Sequence, residues 1–302
     1  MKHQKRKMQQ RNEWHGRPGR RAGRIGGPSG PSGPSGPGGS GARGASRGGP
    51  REKIYIYGKH ALMEALLNAP RAIRKVFIAS ELDDNELREM LKKQNVPTEI
   101  MKMKEADRMV GEETVHQGVI AIADPGEIMG DFSEFAKGLE AKSIAELSER
   151  TMVVLLDELT DPHNVGAIIR SAAAFGATAV LMPIHNQAPI TGAVVKSSAG
   201  MVFRVPLVSV GNVNQAVDAL KKIGFRSYGL EMNGSQNLTE EKFADAPTLI
   251  IVGNEGKGIR EKTLERCDVH LRIPMDPRAE SLNASVSAAV VMYQWSKEHL
   301  IS

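Results

Sequence analysis

Residues 152–156, MVVLL, form an uninterrupted apolar run. A strand whose side chains are all apolar is buried on both faces, as happens in a parallel sheet with helices on each side. The pattern then repeats along the chain. Helical periodicity over 165–175 is followed by a strand at 179–182, a helix at 192–199 and a short strand near 205–208. A helix at 213–223, strands at 226–230 and 249–252, a short helix near 262–266, a strand at 269–273 and a final helix at 282–298 complete the series. Such alternation predicts an α/β fold with a largely parallel sheet covered on both faces.

A smaller α/β unit precedes it. Residues 54–57 read as a strand, and Gly58 leads into a helix with Leu62, Leu66 and Leu67 on one face, ended by Asn68 and Pro70. Strands are expected at 76–79, 99–103 and 119–123, with helices at 85–93 and 105–110 between them. Asp124, Pro125 and Gly126 punctuate the end of this unit, and the polar, weakly helical residues up to 150 read as a linker. Four segments result: a tail over 1–50, a small domain over 51–125, a linker over 126–150 and a large domain over 151–302. A length of 302 residues agrees with two domains.

Charge separates the tail from the rest. Residues 1–50 hold 11 of the 40 basic residues and one of the 35 acidic ones, Glu13, which leaves 29 basic against 34 acidic residues in the body. The tail also holds 14 of the 31 glycines and 6 of the 16 prolines, including GPSGPSGPSGPG at 27–38. Such a segment buries too little apolar surface to offset its ordering entropy and is expected to stay disordered. A basic tail on an acidic body fits a tether for phosphate groups, the plainer alternative being a solubilising tail. No apolar stretch follows the basic start, which argues against a secretory signal, and the Gly and Pro content argues against an amphipathic presequence.

The membrane and metal classes are disfavoured on other grounds. No apolar run approaches the roughly 18 residues of a membrane span. The single cysteine, Cys267, makes neither an internal disulfide nor a thiolate zinc cluster. A cytoplasmic protein without a metal is the expectation.

Ligands of parallel sheets bind beyond the carboxyl ends of the strands, and three loops there carry polar clusters. In DELTDPHNVGAIIR, residues 157–170, Asn164 is placed to cap the next helix and Arg170 projects from its second turn, which by itself describes a capped helix with a surface arginine. GNEGKGI, residues 253–259, follows an apolar strand, and its glycines suit either a ligand-contacting loop around Glu255 or a tight turn. No Ser or Thr follows Lys257, so it is not a triphosphate loop. In IPMDPRAESLNAS, residues 273–285, Ser281 and Asn283 either cap the last helix or turn toward a ligand at its amino end.

In order and spacing these clusters resemble the three motifs of the SPOUT-class, TrmH-type RNA ribose 2'-O-methyltransferases. The resemblance covers residues 152–302, and GKHALMEALL at 58–67 with HQGVIA at 116–121 resembles the small RNA-binding domain of the bacterial 23S rRNA guanosine 2'-O-methyltransferase branch. It implies a SPOUT fold with a deep trefoil knot, which periodicity alone would not propose. A homodimer with a shared active site, S-adenosylmethionine as cofactor and RNA as partner, large-subunit rRNA rather than tRNA, are also implied.

Carried over by motif, the site residues are Asn164, Arg170, Glu255, Ser281, Asn283 and Ser285, with Gly253, Ile273 and Leu282 toward the cofactor. Asp276, Pro277 and Arg278 depart from the family's smaller loop and put its shape in question. The resemblance makes Arg170 the group nearest the ribose hydroxyl. A guanidinium stays protonated below a pH of about 12, so the expected role is positioning and electrostatic stabilisation, with the general base left unassigned. Asn164 and Glu255 are expected to hold Arg170 and the ribose, and Ser281 and Asn283 to complete the substrate hydrogen bonds. A non-catalytic RNA-binding assembly factor is the rival class, and the set Asn164, Arg170, Glu255 and Asn283 argues against it.

Overall fold

The computed structural model describes residues 53–111, 115–243 and 245–299. The expectation of a disordered basic tail over residues 1–50 lies outside the described residues. The small unit comprises β1 (Ile54–Tyr57), α1 (Lys59–Asn68), β2 (Ile73–Ala79), α2 (Asn85–Lys93), β3 (Thr98–Met101), α3 (Met103–Val110) and β4 (Val119–Ala123). Its sheet runs β1-β4-β2-β3, with β4 antiparallel to both neighbours and β2 parallel to β3. Leu62 and Leu66 are fully buried, whereas Leu67 is 56% exposed and does not share their face. Helix α3 starts earlier than its periodicity suggested, because the Glu105 carboxylate accepts the Lys102 N–H at 2.9 Å and closes the first turn.

The chain continues through β5 (Met129–Asp131), α4 (Phe132–Glu140) and α5 (Ile144–Arg150) into the large sheet. That sheet adds β6 (Met152–Asp157), α6 (Pro162–Ala174), β7 (Ala179–Pro183), α7 (Gly192–Ser197), β8 (Leu207–Val210), α8 (Val213–Ile223) and β9 (Arg226–Leu230). It closes with β10 (Gln236–Asn237), β11 (Thr248–Gly253), α9 (Glu261–Leu264), β12 (Val269–Arg272) and α10 (Ala284–His299). The order is β10-β12-β9-β11-β6-β7-β8-β5, and each pairing is parallel.

The apolar run in β6 serves two cores. Met152, Val154 and Leu156 pack on the side of α6, α7 and α10, while Val153 and Leu155 pack on the side of α4, α5 and α8. Burial of each such side chain contributes about 1.5–3 kcal/mol, so the central strands anchor both layers. Residues 126–150, expected to be a linker, instead supply edge strand β5, which pairs with β8, and two helices over the second core. Capping explains why they are ordered: the Asp131 carboxylate accepts the Ser133 and Glu134 N–H groups, and Ser143 with Glu146 forms a capping box. Among the described residues no helix is long and apolar enough to cross a membrane.

Candidate active site

Helix α6 begins three residues before its expected start. Pro162 occupies its first position and the Asp161 carboxylate caps it, accepting the His163 N–H at 2.8 Å. Asn164 is therefore not the cap. Standing in the first turn and 7% exposed, it donates from Nδ2 to Glu255 Oε1 at 2.8 Å and accepts at Oδ1 from Asn283 Nδ2 at 2.9 Å. One amide thus joins the loops after β6 and β11 to the start of α10. Asn283 is the cap of α10: its Oδ1 accepts the Ser285 N–H at 2.9 Å and the Ser285 hydroxyl at 2.6 Å.

Beside this chain lies a pocket of about 670 Å³, open mouth included, at the carboxyl ends of β9, β11 and β12. Leu230, Val252, Leu271, Ile273, Met275 and Leu282 supply its apolar wall. Glu231, Asn254, Glu255, Ser281 and Ser287 supply polar groups, and among the described residues no Lys or Arg lines it. Two carboxylates in a lining without basic groups favour a ligand carrying positive charge.

The GNEGKGI loop is both a tight turn and a pocket wall. Asn254 and Gly258 exchange backbone hydrogen bonds at 3.0 and 2.9 Å, and Gly258 has φ 70°. Gly253 is required where the strand enters the turn, since a Cβ there would lie 2.2 Å from the Ile259 nitrogen. The loop is latched from below by Asp157, a fully buried carboxylate at the end of β6. Its Oδ1 accepts Arg260 Nε at 2.8 Å and Nη2 at 2.6 Å, and its Oδ2 accepts the Arg260 N–H at 3.0 Å. Arg260 also reaches Glu158 Oε1 at 3.1 Å, and the Glu158 carbonyl accepts Asn254 Nδ2 at 2.9 Å. Glu158 holds φ 61°, in the left-handed region that disfavours a side chain, so the latch sits on a strained residue.

The structure therefore brings Asn164, Glu255 and Asn283 together, and Gly253, Glu255, Ile273, Ser281 and Leu282 around the pocket. Ser285 stays on the cap of α10. Arg170 stands apart. Six residues beyond Asn164 it points about a third of a turn away around α6. It is exposed, with no hydrogen bond or ion pair among the described residues, so Asn164 and Glu255 of the same copy do not hold it. The loop at Asp276, Pro277 and Arg278 closes on itself. Arg278 donates to both Asp276 oxygens at 2.9 Å, which holds that carboxyl below its ordinary value. Asp157, Glu158, Asn254 and Arg260 carry no motif that marks them in the sequence. The available signal was an acid ending an otherwise apolar strand.

Comparison with known proteins agrees with this architecture. Residues 151–293 match the model of the SpoU rRNA Methylase family, and residues 55–129 that of RNA 2'-O ribose methyltransferase substrate binding. A Staphylococcus epidermidis protein named for the TrmH family of tRNA/rRNA methyltransferases is 34% identical over 82% of this chain and 97% of its own. A Staphylococcus haemolyticus protein of the same description is 32% identical over 83% and 98%. Among solved structures, the SpoU methyltransferase AviRb from Streptomyces viridochromogenes in complex with AdoMet is 26% identical, with a TM-score of 0.64 over 82% of this chain and 90% of that one. The AdoMet-bound rRNA methyltransferase of Sinorhizobium meliloti, 20% identical, shares the fold at a TM-score of 0.69 over 83% and 88%. A parallel-sheet domain preceded by a substrate-binding unit defines the class as an RNA methyltransferase. This chain belongs to the SpoU/TrmH family of tRNA/rRNA methyltransferases.

Proposed function

We propose that this chain methylates the 2'-hydroxyl of a ribose in RNA, a guanosine of large-subunit rRNA, in the cytoplasm, with S-adenosylmethionine as the methyl donor. The observation that carries the reading is the Glu255–Asn164–Asn283 chain, in which polar groups from all three motifs meet at the rim of one pocket. The lining suits the donor: an apolar slot for a base, hydroxyl and amide groups for polar substituents, and the Glu231 and Glu255 carboxylates for a sulfonium. Gly253, Ile273 and Leu282 would hold it. Bound there, the donor supplies an electrophilic methyl group.

The protein's part is alignment and electrostatics. Asn164 fixes Glu255 and Asn283 relative to each other, Ser281 stands free at the rim for substrate, and Arg170 stabilises charge at the hydroxyl. In one copy Arg170 has no partner among the described residues, and a homodimer answers this. Ala167 and Ser171 of α6 and Val286, Ala289, Val290 and Tyr293 of α10 form an apolar face beside it, with Tyr293 51% exposed. A second copy on that face would cover it and bring Arg170 toward a neighbouring pocket. The trefoil knot belongs to the same reading: α10 returns from β12, past the loop of Glu255, to pack on α6.

Mapping 2'-O-methyl groups on total RNA from a deletion strain, with and without the restored gene, tests this. Loss of one guanosine methyl group from large-subunit rRNA is the expected result. Loss from tRNA moves the substrate. Unchanged maps, with RNA binding retained, favour the assembly-factor reading.

A further inference from the structure

We infer that the cleft between β1 and the start of α7 is a binding site for a single unpaired nucleotide of the RNA substrate, held by stacking on Tyr55. The cleft measures about 760 Å³, open mouth included, and is lined by Lys53, Tyr55 and Tyr57, by Met109 and Val110 of α3, and by residues 189–192. It is distinct from the pocket at β9, β11 and β12, with which it shares no residue.

Strand geometry puts the two tyrosines here. Along β1, Ile54 and Ile56 are buried in the core, so Tyr55 and Tyr57 face outward on alternate positions. Because β1 is an edge of its sheet, nothing in that sheet lies beyond them. Gly192 fixes the opposite wall: a Cβ there would sit 2.6 Å from the Tyr55 carbonyl and 3.2 Å from the Tyr57 ring. The wall therefore approaches β1 too closely for any side chain at residue 192. Tyr55 nonetheless keeps 41% of its surface exposed and so available to a ligand.

The chemistry favours a nucleotide over an apolar peptide. Lys196 Nζ lies 5.8 Å from the Tyr57 ring centre and has no carboxylate partner among the described residues. Lys53 lines the cleft directly and likewise makes no ion pair there. Aromatic faces next to free cations are what unpaired bases and their phosphates require. The buried Thr191 hydroxyl, in the wall, has no hydrogen-bond partner among the described residues.

The inference rests on the reading of the chain as an RNA-modifying enzyme, and one experiment separates the two. The full chain, Tyr55→Ala and Tyr55→Phe are titrated with a short unstructured single-stranded RNA carrying 5-bromouridine, at salt high enough to screen the basic tail. The bound complexes are then photocrosslinked, with donor binding measured by calorimetry as the control for folding. Tyr55→Ala should bind about tenfold more weakly, as expected from loss of one base–aromatic stack. Tyr55→Phe should keep the affinity, and crosslinks should map to β1. Equal affinity of Tyr55→Ala and the full chain, or crosslinks only outside the cleft, overturns the inference while leaving the methyltransfer reading intact. If the full chain binds the donor but no RNA, that reading falls and this one with it.

Discussion

Replacing Arg260 with alanine should loosen the whole pocket without touching a pocket residue. Asp157 is fully buried, and its cation, 44% exposed at the side chain, supplies two of the three hydrogen bonds that the carboxylate accepts from Arg260. Breaking a buried pair by removing one partner costs about 3–5 kcal/mol. Here the backbone N–H of residue 260 remains, and water can enter where the exposed guanidinium stood. The cost should therefore fall to about 2–3 kcal/mol. At roughly 2–4 °C per kcal/mol for a domain of this size, the melting temperature should drop by about 4–12 °C. Donor affinity should weaken as well, because Asn254 and Glu255 sit in the loop that Arg260 latches. Arg260→Lys keeps the charge but not the two-pronged geometry and should lie between. The double variant Asp157→Asn with Arg260→Ala should melt higher than Arg260→Ala alone, since the uncompensated carboxylate is gone. Thermal melts by circular dichroism and calorimetry of donor binding decide it. A shift under about 1 °C for Arg260→Ala, or additive effects in the double variant, would refute the latch.

Arg170→Ala should abolish methyl transfer in single-turnover assays while leaving donor affinity unchanged, and a near-normal rate would remove Arg170 from the mechanism. Burial, with Asp268 adjacent, pushes the Cys267 thiol up to about 12. Alkylation at mildly alkaline pH should therefore proceed only at the rate of unfolding, and prompt reaction in native buffer would contradict the buried placement. Burial raises the Asp268 carboxyl, but hydrogen bonds from Lys221 and Ser227 outweigh it and hold the group below its ordinary value. A depressed carboxyl stabilises the fold above its unfolded pKa of about 4, and that contribution is lost as the pH falls through the folded value. Asp268→Asn should accordingly flatten the acid limb of stability in urea titrations, and an unchanged limb would assign acid sensitivity elsewhere. Deleting residues 1–50 should weaken RNA binding most at low salt and make the salt slope shallower, because 11 basic residues are lost with one acid. Equal slopes would make the tail a solubilising segment.

What the sequence disclosed follows from the range of its interactions. The runs at 54–57, 85–93, 119–123, 213–223 and 226–230 coincide with β1, α2, β4, α8 and β9, because each carries its own periodicity. Strand β5 escaped because three residues carry no period, and only its pairing with β8, far along the chain, makes it a strand. The start of α6 turns on which residue caps it: Asp161 followed by Pro162 outcompetes Asn164, which frees the Asn164 amide to bridge Glu255 and Asn283. Of the residues gathered by the motif resemblance, the structure joins Asn164, Glu255 and Asn283 by hydrogen bonds, while Arg170 was implied for a site shared between two copies. Within one copy Arg170 points away from them, since six positions turn a side chain through about 600° and leave it some 120° from its starting direction. The Asp157–Arg260 latch spans 103 residues and has no local pattern at either end. Its one visible trace was chemical: a carboxylate closing a strand buried on both faces must find a cation, and the nearest carboxyl-end loop on the neighbouring strand supplies it.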